Sequence, residues 1–106
     1  MNRMELINWF LEYLQINYYD NQMFSNKIAN KIISTINKLN DDVEDAIMFF
    51  YWNDPEINEA ADASGAIFKN KGQRLSYIIG IWYNSYKNGY VHIKRRTNDE
   101  IIKEVC

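Results

Sequence analysis

Apolar residues recur at intervals of three and four along most of this 106-residue chain, and only one proline and four glycines interrupt them. The first such stripe comprises Leu6, Trp9, Phe10, Tyr13 and Leu14. Residues at these spacings share one face of an α-helix, whereas a half-buried strand would require alternation. The pattern therefore predicts long helices rather than a turn-rich sandwich.

The same periodicity predicts four long helices, near residues 4–18, 21–39, 42–53 and 72–88, and two short ones, at 55–63 and from Thr97 onward. Asp20 is the expected N-cap of the second helix, and Asn40 or Asp41 that of the third. Pro55 cannot continue a helix, so the third should end near Asn53.

A short segment, YVHIK at residues 90–94, alternates as a strand would, but no partner strand is evident. We therefore expect an all-α fold: residues 1–106 should form a single domain, a compact bundle of four to six helices with at most one short strand.

The helical stripes also predict which side chains are buried. Gly80 lies inside the last long helix, where close packing against another helix would explain it. The expected core consists of Trp9, Phe10, Ile28, Ile32, Ile47, Phe50, Leu75, Ile78, Ile79 and Trp82.

The composition points to an intracellular protein. The single cysteine, Cys106, cannot form an intrachain disulfide. No signal peptide is visible, and the longest apolar runs, IMFFYW and YIIGIWY, are too short to span a bilayer. We expect a cytoplasmic location and no contact with a membrane.

Groups that carry catalysis or bind metal are scarce. There is one histidine, His92, and one cysteine, and no spacing typical of a zinc site or a phosphate-binding loop. Helix capping explains the acids near residues 41–45 more simply than an acid–base or metal cluster does. We expect no enzymatic activity, no metal and no cofactor.

Charge segregation is the feature that bears most on function, because the chain as a whole has a formal net charge of only -2. Residues 41–63 contain eight acids and no base: Asp41, Asp42, Glu44, Asp45, Asp54, Glu56, Glu59 and Asp62. Residues 64–98 contain seven bases and no acid: Lys69, Lys71, Arg74, Lys87, Lys94, Arg95 and Arg96.

This segregation has two interpretations. The acidic and basic segments could pair with each other or lie exposed to solvent. Alternatively, the bases could gather on one surface and contact a polyanion, with Tyr83, Tyr86 and Tyr90 among them available for base stacking. We expect the second arrangement, with the bases on one surface and apart from residues 41–62.

Two stretches, DDVEDAIMFF and RLSYIIGIWYNSYKNGYV, resemble the DnaD-like domain of replication primosome and phage replisome-organiser proteins. That family has a final helix with a Tyr-x-x-x-Ile-x-x-x-Trp signature. Tyr77 and Ile81 match its first two positions, and Ser85 occupies the third. The resemblance covers residues 24–96. It implies a helical bundle, DNA binding by the basic residues after the final helix, and an accessory or competing role in replication.

The first functional hypothesis is a non-enzymatic, DNA-associated accessory protein of a phage or mobile element. In it, the seven basic residues contact DNA phosphates and do not recognise the nucleobases. The alternative is a small phage-type inhibitor that binds a host protein through a phosphate-mimicking acidic surface, formed by Asp41, Asp42, Glu44, Asp45, Glu56, Glu59 and Asp62. A third possibility is a homodimer that associates through Phe49, Tyr51 and Trp52.

Overall fold

The structure is a computed structural model that describes residues 2–88. It contains five α-helices and a short 3₁₀ turn at Asn40–Asp42, and within the described residues it has no strand. The helices are α1 (Arg3–Tyr18), α2 (Asn26–Leu39), α3 (Val43–Trp52), α4 (Asp54–Ala63) and α5 (Lys71–Lys87). The predicted all-α fold is confirmed. The extended segment at 90–94 and the helix expected from Thr97 lie outside the described residues.

The second helix begins later than predicted. Asp20 and Asn21 have φ values of 55° and 57°, in the left-handed region, so Asp20 lacks the extended backbone of an N-cap. The cap is Ser25, whose hydroxyl accepts a hydrogen bond from the backbone N–H of Ile28. The prediction placed the helix start at the first suitable polar residue, whereas the chain first makes a left-handed turn after α1.

The end of α3 follows the prediction, but its start does not. Neither Asn40 nor Asp41 caps α3, because both belong to the 3₁₀ turn and Asn40 has a φ of 50°. The helix ends at Trp52 as expected, since the next residue, Asn53, donates its backbone N–H to the Phe49 and Phe50 carbonyls and Pro55 lies in the first turn of α4.

The apolar stripes of all five helices meet in one core. At its centre are Phe10 from α1, Phe50 from α3 and Trp82 from α5, with ring centroids 5.1–5.6 Å apart. The Trp82 indole N–H donates to the Ala46 carbonyl of α3 at 2.7 Å, which satisfies its buried polar atom. Of the predicted core residues only Trp9 is half-buried, because it stacks on Tyr13 at the edge of the core.

The last long helix, α5, packs against both α2 and α4 and also contacts α3. No helix among residues 2–88 is both long and apolar enough to cross a membrane. Between the flanks that α2 and α4 cover, the exposed side chains of α5 include Gln73, Tyr77, Asn84 and Lys87.

A polar network ties α1 to α4 beside the core. The hydroxyls of Tyr13 and Tyr18 donate to the two carboxylate oxygens of Asp54, and the Asn58 amide donates to the Tyr18 oxygen at 2.6 Å. Arg74 of α5 donates to the Asn58 amide oxygen at 3.0 Å. Burial raises the pKa of Tyr18 and of Asp54, and in both cases the Asn58 hydrogen bond and the Arg74 charge act in the opposite direction.

Candidate nucleic-acid interface

The seven predicted phosphate-contacting bases fall into two groups. Lys69 immediately precedes α5, Lys71 is its first residue, Arg74 lies in its first turn and Lys87 is its last residue. The remaining three, Lys94, Arg95 and Arg96, lie outside the described residues. The four described bases are therefore all attached to one helix, at its two ends.

Three of these four bases pair with carboxylates. Arg74 contacts Asp62 at 3.0 Å, Lys87 lies 3.9 Å from Asp42, and Lys71 pairs with Asp20 in the loop after α1. The expectation that the bases remain apart from the acidic segment is thus wrong for Arg74 and Lys87. The reason is helix packing: α4 lies against α5 and brings Asp62 to Arg74, and the turn before α3 brings Asp42 to Lys87.

The Lys71 and Lys87 ion pairs are exposed and therefore weak, whereas Arg74 is partly buried. The Lys71 side chain retains 58% of its accessible surface, and pairs of this kind typically contribute less than about 1 kcal/mol. Lys69 makes no ion pair with a described residue. Lys69 and Lys71 consequently remain available to an external anion, whereas Arg74 is also held by Asn58.

The acids of the alternative hypothesis lie on three successive elements. Asp41 and Asp42 lie in the 3₁₀ turn, Glu44 and Asp45 in the first turn of α3, and Glu56, Glu59 and Asp62 on α4. Asp42 and Asp62 pair with bases of α5, and one carboxylate oxygen of Glu56 is buried. Asp41, Glu44 and Asp45, near the start of α3, are exposed and make no ion pair with any of residues 2–88.

A surface groove runs between α2 and α5, and we call it the α2–α5 groove. Its wider part has a volume of about 530 Å³ and is lined by Tyr19, Gln22, Ser25, Lys27, Ile28, Asn70, Lys71, Gly72, Gln73 and Ser76. A second part of about 300 Å³ is lined by Lys31, Ser76, Tyr77, Gly80, Ile81 and Asn84. Ser76 borders both parts, and neither lining contains an acid.

Two helix N-termini open into the wider part of this groove. Ser25 caps α2 and Asn70 caps α5, where its side chain accepts from the Gln73 N–H at 2.9 Å. The positive end of each helix dipole therefore faces the region that Lys27 and Lys71 border. The wide part of the groove is thus electropositive from both its backbone and its side chains.

Lysines from α2 supply charge that the sequence analysis did not assign to the site. Lys27 and Lys31 line the groove, are exposed and make no ion pair with a described residue. Lys38, further along the same face, lies over the Tyr83 ring of α5 at 5.7 Å from its centroid. Their helical spacing was visible in the sequence, but it does not reveal that this face of α2 lies next to α5.

The tyrosines differ in their availability for stacking. Tyr77 is 41% exposed and lines the narrower part of the groove, with Phe68 edge-on against its ring. Tyr83 and Tyr86 are half-buried, Tyr83 beneath Lys38 and Tyr86 against Phe49. Burial, together with the carboxylates of Asp42 and Asp45, raises the pKa of Tyr86. The expected stacking residue Tyr90 lies outside the described residues.

Two glycines of α5 lie beside the groove. A Cβ on Gly72 would lie 3.2 Å from the Asn70 Oδ1 atom, which is tighter than usual, and 3.4 Å from the Ile28 side chain of α2, which is ordinary van der Waals contact. A Cβ on Gly80 would meet nothing within 4 Å, and the expected helix packing there is wrong. Gly80 instead lines the groove floor, where it leaves the helix backbone open to a ligand.

Within residues 2–88, no three histidine, cysteine, aspartate or glutamate side chains lie close enough together to hold a metal ion. Comparisons with protein-family models, with curated proteins and with solved structures found no match to this chain.

Proposed function

We propose that this protein is a non-enzymatic accessory protein that binds the backbone of nucleic acid along the α2–α5 groove. One observation carries the proposal: Lys27, Lys31 and Lys71 border a groove whose lining contains no acid and into which the N-termini of two helices open. Lys71 also pairs with Asp20, an exposed carboxylate outside that lining. Phosphate groups are attracted by each of these features, and a groove bordered by several of them can follow successive phosphates.

The floor of the groove suits a single strand. Tyr77 offers a partly exposed ring for a base to stack on, and Gly80 allows the backbone of α5 to be approached closely. Basic grooves with stacking rings are how sequence-tolerant single-strand binders work. We infer that binding depends little on base sequence, because the lysines and helix N-termini would contact phosphates, which carry no sequence information.

The resemblance to DnaD-like domains supports the same function. Its matching positions Tyr77 and Ile81 lie on α5, the helix that forms one wall of the groove, and both line its narrower part. We propose a role in phage or mobile-element replication on this basis. Lys94, Arg95 and Arg96 follow α5 in sequence, and in this proposal they extend the phosphate contacts beyond the groove.

The test is the salt dependence of binding to a fluorescently labelled oligonucleotide, measured by anisotropy with single-stranded and double-stranded probes. Binding should weaken as salt rises, with a log–log slope of about 0.7–0.9 per phosphate contacted. The double variant Lys27→Ala/Lys31→Ala should reduce that slope by about two units, because each lysine neutralises about one phosphate. Its fold should be unaffected, since both side chains are exposed.

Arg3→Ala is the control: it removes one exposed charge outside the groove lining, together with a hydrogen bond to the Asn40 carbonyl, and should leave the slope unchanged. Gly80→Ala tests the groove floor: it should stabilise α5 by up to about 1 kcal/mol and yet weaken binding. If the double variant binds with the same slope as the natural protein, or if no binding occurs at low salt, the proposal is wrong.

A further inference from the structure

Four aromatic rings form a cluster on α1 and α3, outside the groove: Tyr51 and Trp52 are exposed, and Trp9 and Tyr13 are half-buried. Trp9 stacks on Tyr13 and meets Tyr51 edge-on at 5.6 Å, and Tyr51 in turn meets Trp52 at 5.7 Å. Trp52 is 71% exposed, and Met48, one helical turn earlier, is exposed beside it. We call the surface formed by Trp9, Met48, Tyr51 and Trp52 the aromatic face.

Carboxylates flank the aromatic face on both helices. On α1, Glu5 precedes Trp9 by four residues and Glu12 follows it by three. On α3, Glu44 and Asp45 precede Met48 by four and three residues. Side chains at these spacings are neighbours on a helix surface. All four are exposed, and none makes an ion pair with any of residues 2–88.

We propose that the aromatic face is a docking surface for a cationic, amphipathic peptide segment of a partner protein. Exposed Trp and Tyr side chains are the residue types that contribute most to protein interfaces, and a large solvent-exposed tryptophan gains most from being covered. Lysine or arginine side chains of the partner would lie over the indole faces and pair with the flanking carboxylates, while its apolar residues cover Met48 and Trp52.

The carboxylates beside the aromatic face favour a cationic peptide over a second copy of the chain as its binding partner. In a two-fold dimer the same patch meets itself, so Glu44 and Asp45 of one protomer would face the acids of the other. Like charges brought together across an interface are unfavourable. The homodimer considered from the sequence is therefore disfavoured, and a basic partner is favoured by the same carboxylates.

This inference does not rest on the proposed nucleic-acid binding. The aromatic face lies on α1 and α3, the groove lies between α2 and α5, and the two share no residue. A chain with both surfaces could hold nucleic acid and a basic partner at the same time. Variants that abolish binding at the groove should leave binding at the aromatic face measurable, and the reverse should also hold.

In the experiment, the 106-residue protein is titrated with a synthetic amphipathic helical peptide of leucine and lysine, and binding is measured by isothermal titration calorimetry. The probe should bind, and Trp52→Ala should weaken it about tenfold or more, as expected for a central anchor. Glu44→Gln/Asp45→Asn should weaken it several-fold and reduce its salt dependence. Ile67→Ala is the matched control, because Ile67 is exposed in the loop before α5 and its loss should change nothing.

Three results would overturn the proposal. A leucine–glutamate peptide that binds as tightly as the leucine–lysine one would show that charge is not recognised. A natural protein that sediments as a dimer, and becomes monomeric on Trp52→Ala, would show that a second copy covers the face. Tighter peptide binding by the variant Lys94→Ala/Arg95→Ala/Arg96→Ala would show that the chain's own basic segment occupies it.

Discussion

Ser85 is fully buried in α5, and its hydroxyl has no hydrogen-bond partner within residues 2–88. Its neighbours along the buried face of the helix, Ile78, Ile81 and Trp82, are apolar. A hydroxyl buried without a partner loses its hydrogen bonds to water and forms none within the protein, which lowers stability. The position that matches a tryptophan in the DnaD-like signature is therefore a locally unfavourable one.

We expect Ser85→Ala to stabilise the protein by about 1 kcal/mol, because it removes the unpaired hydroxyl and improves helix propensity. Urea unfolding followed by circular dichroism measures the change. Thr35→Val is the matched control: the Thr35 hydroxyl is also buried but donates to the Lys31 carbonyl at 2.8 Å, so its removal should give no gain. A destabilised Ser85→Ala protein would mean that the hydroxyl has a partner.

Among the helices, α1 and α4 are connected by hydrogen bonds rather than by apolar contact alone. The Tyr18 hydroxyl donates to Asp54 at the start of α4 and accepts from Asn58 one turn later. An ionised Tyr18 could no longer donate, and it would place a second negative charge beside the carboxylate. Burial of the hydroxyl raises the pKa of Tyr18 above its ordinary value of 10.0, while the Asn58 hydrogen bond and the Arg74 charge act in the opposite direction.

The raised pKa of Tyr18 predicts that the protein loses stability at alkaline pH. Between pH 10.0 and the raised pKa of Tyr18, the folded protein keeps a proton that the unfolded chain has released. The stabilisation is fully present below pH 10.0 and is lost as the pH rises through the folded-state pKa. Tyr18→Phe should cost about 1–2 kcal/mol near neutral pH, and its deficit relative to the natural protein should shrink at alkaline pH.

The measurement is urea unfolding of both proteins from about pH 8 to about pH 11, across the tyrosine titration range. Tyr77→Phe serves as the control, because it removes an exposed hydroxyl that bonds to no described residue and should leave the curve unchanged. A deficit for Tyr18→Phe that stays constant over the whole range would contradict the proposed network.

At the scale of the whole molecule, all five helices contribute to one core cluster, so they should unfold together. Trp82→Ala should cost about 3–5 kcal/mol, because it empties the space between Phe10 and Phe50, and such a loss can unfold a small domain. Thermal melts by circular dichroism and fluorescence should shift together. Trp52→Ala, which removes an exposed ring, should change stability by less than about 0.5 kcal/mol.

Two transitions at different temperatures in the natural protein would contradict a single core. A Trp82→Ala protein with unchanged stability would likewise show that the ring is not buried. In either case the packing of α5 against α3 would have to be reconsidered, since the Trp82 indole donates its hydrogen bond across that contact.

The features that could be predicted from the sequence, helices and their buried sides, depend on residues close together along the chain. The spacing of Leu6, Phe10 and Leu14 determines a helix and its buried side, and Pro55 ends α3 through its own ring geometry. The N-cap predictions at Asp20 and Asn40 failed because both residues have a positive φ. Asn and Asp are common both in that conformation and as N-caps, so the sequence does not distinguish the two. The helix start shifted accordingly from residue 21 to Asn26.

The tertiary structure alone decided which charges meet. The separation of acids and bases along the chain suggested two distant surfaces, but packing of α4 on α5 placed Asp62 against Arg74. The same packing logic placed Lys27 and Lys31, which the sequence leaves as an ordinary exposed helix face, beside Lys71. Helical periodicity states which side of a helix is buried but not which helix covers it, and that choice depends on the shape of the whole core.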